Sequence, residues 1–179
     1  MCVAFHDKFG APLFQKFHSK ITRRVVVDVR KVAGSLGIRT CRALLGMHSY
    51  TVCDTTSAFA GKGKSSSLTL LTTDSNVTEM FLQVGQYWNL SPELMDQVEA
   101  FTCRIYASKT LSTEVNTLRY NLFCAKKGEM ESYQLPPYRD CLVKHAQRAN
   151  YQAAIWRRCL EKDPQSPKSY RKGMEDCKD

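Results

Sequence analysis

The sequence has no run of roughly 20 apolar residues, so no segment reads as a membrane-spanning helix. Its eight cysteines, at positions 2, 41, 53, 103, 124, 141, 159 and 177, form no Cys-x-x-Cys pair. That spacing indicates neither a zinc cluster nor a redox pair, and the cysteines read as reduced thiols. The first thirty residues include Asp7, Lys8, Lys16 and Lys20 and have no continuous apolar core, so no signal peptide is expected. No segment repeats, and Arg23-Arg24 and Lys126-Lys127 are too short for a nuclear-import signal. An intracellular, reducing compartment is expected, with nuclear and cytoplasmic placement indistinguishable.

Acids are the scarcer charge. Lys and Arg number 26 against 17 for Asp and Glu, a formal charge of +9 with a pI near 9.2, which suits either a polyanionic partner or simple solubility. With 43% apolar content over 179 residues the chain has side chains enough for a core.

Residues 12–17 and 24–29 read as two strands joined by the polar turn 18–22, an N-terminal β-hairpin whose second strand is rich in β-branched valines. The spacing of Val32, Ala33 and Leu36 before Gly37 predicts a short helix with a glycine stop, and 38–47 a second, more apolar helix. A Thr/Ser/Gly/Lys loop covers 52–67, and Leu68, Leu70 and Leu71 begin a brief helix that Asp74 breaks. Further helices are expected at 77–87, 91–107, 113–125 and 137–159, with Ser91 and Thr113 as caps and Pro92 at a first helical position. Residues 126–137 connect the last two helices through the paired prolines Pro136 and Pro137. The tail 164–179 is almost without apolar residues and is expected to be disordered.

The segment containing Leu44-Leu45-Gly46, Val52-Cys53-Asp54 and Gly61-Lys62-Gly63-Lys64 places an acid and a glycine turn at the end of an apolar helix. Backbone N–H groups at such a turn, with Lys62 and Lys64, suit a phosphate, and a carboxylate beside them suits a divalent metal. On these residues the chain resembles PIN and flap-endonuclease-like domains, as found in animal proteins associated with mobile elements, over roughly residues 15–163. Leu135-Pro136-Pro137 and the run from His145 to Trp156 extend the likeness.

The resemblance implies an incomplete α/β PIN-like domain over 1–73, mainly α with a short N-terminal β-hairpin, a helical extension over 77–163 and the tail 164–179. It implies Asp54 as a catalytic, metal-binding position, magnesium as the cofactor, and Gly61, Lys62, Gly63 and Lys64 as contacts to a nucleic-acid backbone. In the family a strand carrying further acids precedes this point, and here the chain begins at Met1 where that strand should have ended, so the expected site is incomplete. One carboxylate holds magnesium weakly, and this chain alone is not expected to act as a nuclease. Losing the sheet would leave the apolar face of 38–47 uncovered. Val52 stands where the family pattern has glycine, which would strain the loop by about 1–2 kcal/mol if that position needed positive φ.

Each residue also has a plainer reading. Asp54 suits a cap for Thr56 or Ser57, His48 a core or capping histidine, and the glycines a surface turn. Cys53 has no histidine at a recognisable nucleophile spacing. Lys144, Arg148, Arg157 and Arg158, interleaved with His145, Tyr151 and Trp156, are expected to make a cationic face with stacking partners for a nucleic-acid strand. The same region carries a buried stripe through Leu142, His145, Ala149, Ala153 and Trp156. Two functions follow: a nucleic-acid-binding remnant of a metal-dependent nuclease-like domain, or a helical protein-interaction module. No membrane and no small-molecule substrate is expected in either.

Overall fold

A computed structural model describes residues 14–16, 25–127, 129 and 131–163. Two three-residue strands, β1 (Phe14–Lys16) and β2 (Val25–Val27), pair antiparallel with Phe14 opposite Val27. Seven helices follow among the described residues: α1 (Val29–Leu36), α2 (Ile38–Thr51), α3 (Lys64–Thr73), α4 (Ser75–Gln83), α5 (Pro92–Tyr106), α6 (Val115–Ala125) and α7 (Arg139–Arg158). A 3₁₀ turn, Ser132–Gln134, precedes α7.

Local signals explain most helix ends. Asp28 starts α1 by accepting the Arg30 and Lys31 amides at 3.0 and 3.2 Å. Gly37, at φ +76°, ends α1 and turns directly into α2. Ser91 accepts the Leu94 amide at 3.2 Å and Pro92 opens α5. Among the described residues Thr113 caps no amide and Glu114 takes the N-cap position; the Val115 amide at the start of α6 instead donates to Glu99 Oε1 on α5, at 3.0 Å. α4 stops at Gln83, ahead of its expected end, because Gly85 at φ +81° turns the chain back.

α2 packs against both α4 and α7, with α3 and α1 beside it. Tyr50, Phe81 and Phe101 are fully buried at this junction, Phe81 and Phe101 edge-on at 4.9 Å. Burying each ring contributes on the order of 2–3 kcal/mol. The Tyr50 hydroxyl stays satisfied through Thr102 Oγ1 at 2.6 Å and the Val98 carbonyl at 3.2 Å. Gly46 lets α2 and α4 cross in backbone contact, since a Cβ there would run into the Phe81 carbonyl oxygen. One apolar cluster takes Ala43, Leu45, Met47 and Leu71 together with Phe81, Val98, Leu118 and Ala149. Helices on both sides of position 73 thus share a core.

The expected fold class is corrected. The fold is helical, and the paired strands amount to three residues each, with the expected hairpin turn at 18–22 outside the described residues. Apart from an isolated Cys53–Thr56 bridge, no further strand occurs among the described residues, which therefore hold no sheet for helices to layer on and show no PIN-like α/β domain. The uncovered face expected on 38–47 is corrected with it. Cys41, Ala43, Leu45, Gly46 and Met47 are buried, because α4 and α7 supply the cover a sheet would have given. The strain expected at Val52 is absent as well: its φ of −179° is extended backbone open to any residue. The tail 164–179 lies outside the described residues.

Candidate nucleic-acid interface

The sequence expectation concentrates on the loop between α2 and α3, and the structure fastens that loop to α7. Thr55 Oγ1 donates to Gln152 Oε1 at 2.8 Å, and Ser57 Oγ meets His145 Nδ1 at 3.0 Å. His145 Nε2 lies 2.7 Å from the Tyr50 carbonyl, which only accepts, so Nε2 carries the ring proton and the neutral Nδ1 takes the Ser57 hydroxyl. Burial pushes the His145 pKa below its ordinary value. The imidazole sits between Phe59, at 4.8 Å, and Tyr50, at 5.1 Å.

Cys53 and Asp54 form the first turn of this loop. Burial pushes the Cys53 thiol up, but hydrogen bonds from the hydroxyls and amides of Thr55 and Thr56, the hydroxyls each 3.2 Å from sulfur, outweigh it and hold the thiol below its ordinary pKa. Thr56 also gives a hydrogen bond to the Ser49 carbonyl and Thr55 one to Gln152, which ties this turn to α2 and α7. Asp54 is exposed, and its carboxylate takes no hydrogen bond from Thr56 or Ser57 among the described residues. Its charge acts on His48 and Lys64 nearby. Magnesium would find one carboxylate here: among the described residues no three His, Cys, Asp or Glu side chains gather as a metal ion requires.

The glycine turn and its lysines lead into α3. Gly61 adopts φ +67° in a turn closed by the Lys62 amide on the Phe59 carbonyl at 3.0 Å. Gly63 occupies the N-cap of α3 without a side chain to satisfy the first amides, and the first turn holds no acid. The positive end of the α3 dipole is thereby open at exposed residues 63, 65 and 66. Lys62 Nζ lies 4.8 Å from the Tyr106 ring centroid. Lys64 Nζ donates to His48 Nδ1 at 2.6 Å, leaving two ammonium protons for a ligand. His48 stacks on Trp156 at 5.5 Å, and burial, followed by the Lys64 charge, lowers its pKa.

The four basic residues of α7 separate into two kinds. Lys144 and Arg148 are exposed, and neither makes an ion pair among the described residues. Arg157 turns inward and donates to the carbonyls of Phe81, Leu82 and Val84 at 3.2, 3.0 and 2.9 Å, closing the C-terminal end of α4. Burial, with the charges of Arg42 and Arg158, pulls its pKa down to about 10. Arg158 donates to the carbonyls of Gly85 and Gln86 at 3.2 and 2.7 Å and covers the Trp88 ring at 4.6 Å. The structure therefore brings Lys62, Lys64, Gly61, Gly63 and Asp54 into one loop and sets Arg157 and Arg158 under a different turn.

Sequence reading missed the partners that fix this face: Gln152 for Thr55, Ser57 for His145, Lys64 for His48 and Trp88 for Arg158. A Gln or His on α7 is no signal by itself, because the partners of Gln152 and His145 lie 97 and 88 residues away in the chain. No helix of the described residues is long and apolar enough to cross a membrane. The likeness to PIN and flap-endonuclease-like domains rests on the quoted residues alone, as no protein-family model, curated protein or solved structure matches this chain.

Proposed function

We propose that the loop 52–63, the first turn of α3 and the exposed side of α7 bind the sugar–phosphate backbone of a nucleic acid without cutting it. The observation that carries this reading is the uncapped, acid-free start of α3, opening to solvent between Lys62 and Lys64. Arg148 lies one helical turn from Gln152, the residue that fastens the same loop, and adds a cation beside it. The overall +9 charge favours a polyanion at long range. No cleavage is included, because one exposed carboxylate at Asp54 does not make a coordination shell for magnesium.

The test is a labelled oligonucleotide titrated across a salt series with Mg²⁺, comparing the chain with Lys62→Ala/Lys64→Ala. Log affinity should fall linearly with log salt, and the double variant should flatten that slope by up to about 2 while circular dichroism stays helical. Salt-independent affinity, or a slope unmoved by the variant, would overturn the reading. Cleavage lost in Asp54→Ala would replace it with an enzyme.

A second reading, a helical protein-interaction module, draws on exposed apolar groups at and before α6: Leu111 at 99%, Tyr120 at 69% and Phe123 at 45% exposure. Its signature is salt-insensitive binding to a protein that Phe123→Ser weakens, with no oligonucleotide bound.

A further inference from the structure

Resting on the backbone-binding reading above, we propose that the turn at residues 84–90 is a stacking platform for unpaired bases, and that the strand this face takes is single-stranded. Tyr87 is 79% exposed. Beside it the half-buried Trp88 lies under the Arg158 guanidinium, 4.6 Å from its centroid, with the Tyr151 ring at 5.5 Å on α7. Tyr87 offers exposed π faces, and the Arg158 guanidinium stacked on Trp88 beside it adds a cation, the combination that holds bases without reading their edges.

The platform is rigid before any ligand arrives. The buried Asn150 amide accepts the Gly85 N–H at 2.8 Å and donates to the carbonyls of Tyr87 and Trp88 at 3.0 and 3.1 Å. Arg158 fixes the preceding carbonyls of Gly85 and Gln86. Gly85 lies against Ala153, with φ +81° and no room for a Cβ. Five hydrogen bonds thus hold the backbone beneath two aromatic side chains, one of which packs on almost nothing. A fixed backbone lowers the ordering penalty of binding, leaving mainly two side-chain torsions for each ring to settle.

Placement joins this turn to the loop described above. Tyr151 and Gln152 are neighbours on α7; the first faces Trp88 and the second holds Thr55. Arg148 precedes them by three and four residues, on the same helical side. The platform and the lysine loop therefore flank a single ridge of α7, so phosphates on the loop side leave bases free to reach the turn. A duplex keeps its base faces inside the stack, and only an unpaired strand presents them.

The experiment measures polarisation of three labelled 12-mers: a mixed-sequence DNA strand, its duplex, and an abasic strand with the same phosphates. Wild-type protein should bind the strand roughly tenfold more tightly than either control. Tyr87→Ala should remove that preference while leaving abasic-strand affinity, salt slope and thermal midpoint unchanged, and Tyr87→Phe should keep it. Trp88 fluorescence should be quenched by the mixed strand only. Equal affinity for strand and abasic strand, an equally tight duplex, or a preference that survives Tyr87→Ala overturns the platform while leaving backbone binding standing. Failure of all three oligonucleotides to bind overturns the backbone reading and the platform together.

Discussion

Glu99 holds Arg139 Nε at 2.9 Å with one carboxylate oxygen and the Val115 amide at 3.0 Å with the other, and it is 3% exposed. A single buried acid on α5 thereby positions the first residues of both α6 and α7. Arg139 reaches Asp96 only at 3.5 Å on the exposed side, a contact of little energetic weight. Glu99→Ala should lower stability by about 1–3 kcal/mol, as it orphans the Val115 amide while the half-exposed Arg139 guanidinium turns to water, and Glu99→Gln by about half that. Urea unfolding followed by circular dichroism checks both; equal, sub-kilocalorie losses would show that the junction holds without the carboxylate.

Two glycines of the quoted segment should behave oppositely. Gly46→Ala forces α2 away from the Phe81 carbonyl and should destabilise by about 1–3 kcal/mol, the range of an overpacked core contact. Gly63→Ala meets no atom within 4 Å and keeps an ordinary φ of −79°, so the unfolding midpoint should stay within about 0.5 kcal/mol of wild type. Denaturant midpoints of the two variants measured side by side decide the matter.

Acid should loosen the loop fastened to α7. His145 and His48 both have folded pKa values below the free value of 6.5, through burial first of all. Below pH 6.5 the unfolded chain takes protons that the folded chain refuses, so stability is full above 6.5 and is lost as the pH falls toward the folded values. Each histidine contributes a slope of at most about 1.4 kcal/mol per pH unit in that window. His145→Gln, which keeps a donor for the Tyr50 carbonyl, should reduce the slope measured between pH 6.5 and 5; an unchanged slope would assign it to other groups.

The basic residues of α7 should divide in the same way as their contacts. Arg157→Lys loses a planar fork on three carbonyls of α4 and should destabilise by about 1–3 kcal/mol. Arg148→Ala, on an exposed position, should leave the thermal midpoint unchanged and weaken only oligonucleotide binding. Thermal unfolding and polarisation on the same two variants separate support from ligand contact.

The sequence by itself determined where several helices start and stop. Gly37 between α1 and α2 and Ser91-Pro92 before α5 act through bonds within three or four residues, which a linear reading sees. It also marked the α2–α3 loop, with Gly61 turning at positive φ as a glycine turn requires. Only the tertiary structure decided that α2 is covered by α4 and α7 rather than by a sheet, because periodicity shows that a face is apolar and not what lies on it. It alone decided which cations are available, since Arg157 and Arg148 look alike in sequence until α4 brings its carbonyls to one of them. The loop's own partners were equally hidden: Lys64 meets His48 across 16 residues and Thr55 meets Gln152 across 97, separations that packing closes and no local pattern encodes.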